Sequence, residues 1–135
     1  MLNFEKVEKE LKKRKFNYKN NIVPGHSAYK VKWILPAASA TIIASEKETS
    51  YLFGFDERGI HIFPVDGNYN ILDCLFLEWS TIKKFEIKKG LLLENTMNII
   101  TNEMKVSLKI NKIVAGNPWV KKNIKNLEKL NYYKN

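Results

Sequence analysis

The sequence predicts a mainly β, α+β domain in which short strands lie between two amphipathic helices, and three observations predict it. Between residues 51 and 110 apolar residues recur at period two in short runs separated by polar or glycine-bearing breaks. Toward both ends of the chain the period changes to that of a helix. The 135 residues carry 44% hydrophobic and 27% charged content, which suits one core and not two; a chain of this size buries about two thirds of its unfolded surface. Disorder and a small disulfide scaffold are excluded on the same grounds, and Cys74 is the single cysteine.

Residues 2–18 read as a helix, because Phe4, Val7, Leu11 and Tyr18 fall within about 60° of one another at 100° per residue, while Glu5, Lys6, Glu8, Lys9, Lys12 and Lys13 lie elsewhere. Asn17, Asn20 and Asn21, then Pro24-Gly25, end it and mark a turn. Residues 27–35 alternate as a half-buried strand, with Tyr29, Val31, Trp33 and Leu35 on one side. Residues 40–45 form a further apolar stretch that stops at Glu46-Lys47-Glu48-Thr49. The clearest hairpin spans 51–65, where Asp56-Glu57-Arg58-Gly59 separates Tyr51-Leu52-Phe53-Gly54-Phe55 from Ile60-His61-Ile62-Phe63. Both of its strands are apolar on both parities, so both faces need a cover. One cover is the interior of the domain, and the other is the N-terminal helix or a second copy of the protein.

After a break at residues 66–70, residues 74–79 form another apolar run, and residues 82–88 set Phe85 and Ile87 opposite Lys84, Glu86 and Lys88. Residues 92–101 and 104–110 read as a second hairpin around Asn102-Glu103, with Met104, Val106, Leu108 and Ile110 facing one way and Lys105, Ser107 and Lys109 the other. The last helix starts at Asn117, a good N-cap, with Pro118 at its first position. Trp119, Val120, Ile124, Leu127 and Leu130 span about 140° on it, wide enough to be a core face.

The segment Leu77-Glu78-Trp79-Ser80-Thr81-Ile82-Lys83-Lys84-Phe85-Glu86-Ile87-Lys88-Lys89-Gly90, followed by a hairpin and a terminal helix, resembles the second half of a bacterial pleckstrin-homology-like domain. Residues 51–65 resemble the second and third strands of that family, and the likeness covers roughly residues 37–131 as a pattern of spacings. It implies a seven-stranded, partly open barrel capped by the C-terminal α-helix, with an extra N-terminal helix. The whole chain would then be one domain, 1–135, with the helix at 1–20, the barrel at 37–115 and the capping helix at 117–131. Members that bind inositol phosphates use basic residues around the loop between their first two strands. Here that loop is Glu46-Lys47-Glu48-Thr49, and the two carboxylates beside Lys47 repel a phosphate cluster.

Net charge is +9 and unevenly spread: residues 1–20 carry +4, residues 21–80 carry −3 and residues 81–135 carry +8. Only Arg14 and Arg58 are arginines, which disfavours base-edge readout and makes nucleic acid an unlikely partner. No secretory signal is read at the N-terminus, and the longest apolar run, residues 34–44, is too short for a membrane span and holds Pro36. With one cysteine, a reducing, cytoplasmic location is expected.

The residues do not predict an enzyme. His26, His61 and Cys74 are the candidates, and His61 with Cys74 would be the nucleophile pair, but Cys74 beside Leu75 and Phe76 reads as a small buried hydrophobe. No metal and no cofactor is expected: the histidines lack ligand-spaced partners, and there is no P-loop or GxGxxG. Two binding faces are. An anionic-surface face comprises Lys83, Lys84, Lys88, Lys89, Lys105, Lys109 and Lys112, if the strands that hold them pair. An apolar docking face comprises Phe53, Phe55, His61 and Phe63. The expectation is a non-catalytic binding module that acts through a protein partner or homo-oligomer, with anionic lipid headgroups as the alternative ligand.

Overall fold

A computed structural model of the chain describes residues 1–27 and 49–134. The strand expected at 27–35, apart from Ser27, the stretch at 40–45, and the Glu46, Lys47 and Glu48 loop lie outside the described residues. Helix α1 (Phe4–Lys13) precedes seven strands: β1 (Ile22–His26), β2 (Ser50–Asp56), β3 (Gly59–Val65), β4 (Leu75–Glu78), β5 (Ile82–Lys88), β6 (Glu94–Thr101) and β7 (Lys105–Asn111). Helix α2 (Pro118–Lys129) follows. The strands make one antiparallel sheet in the order β4-β3-β2-β1-β7-β6-β5. Its two edge strands are consecutive in the chain and joined by one 3₁₀ turn, Trp79–Thr81. The sheet therefore curls until its edges meet at that corner, and it stays open where they diverge.

Strand β1 departs from expectation, because Pro24 and Gly25 lie inside a central strand and do not form a turn. Phe55 N donates to Asn21 O and Ser27 N to Thr49 O, so the hydrogen-bonded pairs with β2 fall at odd positions of β1. Pro24, at an even position, turns its donor-less nitrogen toward β7, which pairs only with Gly25 and His26. A Cβ on Gly25 would stand 2.1 Å from Lys109 O, so this crossing of β1 over β7 requires glycine. The sheet thus begins at Ile22, upstream of residue 37.

The doubly apolar hairpin divides by parity. Phe53, Phe55, Ile60 and Ile62 enter the interior with Met97, Ile99, Val106, Leu108 and Ile110. Leu52 and Phe63 face outward and are buried with Val7, Leu11, Tyr18 and Ile22, beneath α1 and the segment that follows it. Helix α1 is capped by Asn3, whose Oδ1 accepts Lys6 N at 2.8 Å, and stops at Lys13, earlier than the expected residue 18. Phe16 N donates to Leu11 O and Lys15 N to Lys12 O while Lys15 takes a φ of 66°, which is the Schellman ending built on a non-glycine residue. Glu10 is buried; Ile71 N donates to its Oε1 at 3.0 Å and holds the carboxyl below its ordinary range.

Helix α2 closes the barrel with Ile124 and Leu127 and reaches the second cluster with Val120. Asn123, also buried, donates to Lys19 O at 3.0 Å and Ile22 O at 2.9 Å and so ties the helix to the start of β1. Asn117 occupies the N-cap position, but its Oδ1 accepts the Trp119 indole N–H at 3.0 Å and not a backbone N–H. Leu130, expected on the core face, is exposed.

Candidate functional site

The register of β5, β6 and β7 sets side chains into rows, since directly opposed residues share a face. Met97, Ile99, Val106 and Leu108 point inward and are buried, so their neighbours point out. Lys84, Ile100 and Lys105 make one outward row; Glu86, Asn98 and Ser107 the next; Lys88, Thr96 and Lys109 the third, which His26 of β1 extends. Four of the seven candidate lysines thus stand at the corners of one face, about 10 Å apart across the strands and about 13 Å along them by strand geometry. Lys109 Nζ donates to Thr96 Oγ1 at 2.8 Å. Glu86, near Lys88 at 4.0 Å, and Glu94, near His26 Nε2 at 3.3 Å, are the outward-facing acids of these strands.

The other three candidates lie elsewhere. A bulge between Ile82 and Lys84 takes Lys83 out of register, and it lines a cleft of about 480 Å³ with Leu75, Leu77 and Glu103 where β4 and β5 diverge. Lys89 reaches Glu128 of α2 at 3.7 Å. Lys112 Nζ donates to Gly90 O at 2.8 Å.

Between β5 and β6 the chain forms a feature the sequence pattern hid. Leu91, Leu92 and Leu93 are 98%, 76% and 63% exposed, although residues 92 and 93 read as the start of a strand. Strand β6 begins only at Glu94 because the loop is pinned at its base. Gly90 N donates to Asn95 Oδ1 at 3.0 Å, Lys112 N to Leu93 O at 2.8 Å, and a Cβ on Gly90 would stand 1.9 Å from Glu94 O. Ile113, 51% exposed, follows Lys112 in the adjoining link to α2.

The expected apolar docking face does not form. Phe53 and Phe55 are interior, whereas His61 and Phe63 face outward under Phe16 and Tyr18. The four therefore sit on two sides of the sheet and all are buried by the chain itself. Tyr18 Oη lies 2.5 Å from His61 Nδ1 and 3.4 Å from Asp56 Oδ2. Burial holds the His61 imidazole below its ordinary value. Burial pushes the Asp56 carboxyl up, but hydrogen bonds from the Arg58 guanidinium, 2.8 Å away, outweigh it and leave Asp56 below the usual carboxylate range.

Cys74 is exposed on the β3–β4 link and not a buried hydrophobe. Among the described residues no three His, Cys, Asp or Glu side chains gather as a metal site. Among them also, no helix is long and apolar enough to cross a membrane. Tyr132, three residues from the C-terminal end of the sequence, is buried against Phe55 and Phe85, and burial raises its phenol to about 12. Compared with known proteins, the chain matches no protein-family model, no curated protein and no solved structure.

Proposed function

We propose that this chain is a non-catalytic module that docks on an anionic membrane surface, with β5, β6 and β7 turned toward the lipid headgroups. The resemblance to pleckstrin-homology-like domains is kept as part of this reading. The observation that supports it is the meeting of Lys84, Lys88, Lys105 and Lys109 on one outward face. A protein partner or self-association through Phe53, Phe55, His61 and Phe63 loses its support, because that surface is already covered.

Magnitude decides what the lysines do. At about 1 kcal/mol per basic residue near an anionic leaflet, four supply about 4 kcal/mol, a millimolar affinity. The face orients the molecule and speeds its approach, but it needs a second contact to stay.

The test is vesicle sedimentation with phosphatidylserine-containing and pure phosphatidylcholine vesicles. The expected result is binding to the former alone, weakening between about 50 and 200 mM salt and lost when Lys84, Lys88, Lys105 and Lys109 are changed to Gln. Equal binding to both vesicles, or binding unaffected by the four changes, overturns the proposal.

A further inference from the structure

We infer that the Leu91-Leu92-Leu93 loop is an insertion tip that enters the hydrocarbon boundary of a lipid bilayer while the lysines at its base hold the headgroups. The inference rests on the membrane reading above and names the second contact which that reading lacks.

Three features carry it. The tip is apolar and exposed, and Ile113 adds to it from the neighbouring link. Three leucines left in water by a folded chain are unfavourable. They do not turn inward, because Asn95 Oδ1, Lys112 N and Lys112 Nζ hold both ends of the loop. The base is therefore built to present the leucines, and a one-residue extension of β6 would have put Leu93 on the buried parity of Asn95, Met97 and Ile99.

The surroundings select the occupant. Lys88, Lys89, Lys109 and Lys112 flank the base, and of the nearby acids Glu86 faces Lys88, Glu94 faces His26 and Glu128 faces Lys89. An apolar point ringed by cations matches the depth profile of an anionic leaflet, with acyl chains beneath phosphates. The tip is also convex, and a fluid bilayer accepts a protrusion without a preformed pocket, as a folded protein surface does not. Peripheral proteins that stay bound combine two such signals, apolar insertion of about 5–10 Å and attraction of basic residues.

The experiment places a reporter at the tip. In a Cys74→Ser background, which removes the exposed native thiol, Leu92→Cys is labelled with an environment-sensitive fluorophore and mixed with phosphatidylserine-containing vesicles. Insertion predicts a blue shift and quenching by lipids that carry a quencher on the acyl chain. A second variant, Leu91→Ser with Leu92→Ser and Leu93→Ser, should keep the wild-type melting temperature and lose roughly tenfold in vesicle affinity, its residual binding vanishing at high salt. If the triple variant binds as wild type and the label is not quenched, insertion is overturned while the lysine reading stands. If wild type itself ignores anionic vesicles, both fall. A triple variant that changes a dimer into a monomer while vesicle binding stays constant also overturns insertion and makes the loop a contact between copies.

Discussion

The two halves of the sheet bear opposite outer faces. Outside β2 and β3 the residues are Leu52, Gly54, His61 and Phe63, buried beneath the chain's own N-terminal segment, with the Tyr18 ring lying over Gly54. Outside β5, β6 and β7 the residues are Lys84, Glu86, Lys88, Thr96, Asn98, Ile100, Lys105, Ser107 and Lys109, exposed or half-buried and part of neither apolar cluster of the described residues. One backbone pattern thus serves two purposes. Where both parities are apolar the chain supplies a second layer, and where they alternate the face is left for water or a ligand. An apolar surface that looks like a docking face can therefore be an internal one, and the proposed membrane reading rests on the half whose outer face the described residues leave uncovered.

The sharpest way to break this comparison is to treat the covered outer face as a core. Phe63→Ala should cost about 3–5 kcal/mol in denaturant unfolding; a loss below about 1 kcal/mol would mean that α1 and Phe16 do not bury it. Next, Ile124→Ala tests the plug from the other side of the barrel and should cost about 2–5 kcal/mol. A variant that unfolds at the wild-type midpoint would remove α2 from the core.

A smaller effect follows from His61, which lies between Tyr18, Phe16, Phe63 and Phe76 with Asp56 and Arg58 nearby. Burial lowers its folded-state value, so as pH falls below 6.5 the unfolded chain takes up this proton first and the folded protein loses stability. Melting curves should show that decline, and His61→Gln should flatten it; an unchanged slope would show that His61 does not govern the docking of the N-terminal segment. The smallest effect belongs to the bare half. Changing Lys84, Lys88, Lys105 and Lys109 together to Gln should move stability by less than about 1 kcal/mol, and a larger loss would make the lysines part of the fold and not of a ligand face.

Much of this architecture was legible one residue at a time. The alternation of Met104, Val106, Leu108 and Ile110 against Lys105, Ser107 and Lys109 comes directly from strand geometry. The stripe on α2 and the Pro118 start follow likewise from local rules. The double apolar parity of the 51–65 hairpin announced a second layer, though not which residues lay on which side of the sheet.

What the sequence by itself determined was therefore the two helices, the 51–65 hairpin, the alternation of β5 and the β6–β7 hairpin, because these depend on periodicity and side-chain type within one element. Only the tertiary structure decided the rest. Pro24 and Gly25 read locally as a break, and they belong to a central strand because β7 comes close enough there to forbid a Cβ and pairs only with Gly25 and His26. Lys15 gives no sign of ending a helix until Phe16 N and Lys15 N find the carbonyls of Leu11 and Lys12. Leu92 and Leu93 match a buried strand in composition, and a lysine 20 residues downstream, held to the same loop, turns them out to solvent. The lysines meet on one face because strand register is a non-local quantity, fixed by packing between segments far apart in the chain.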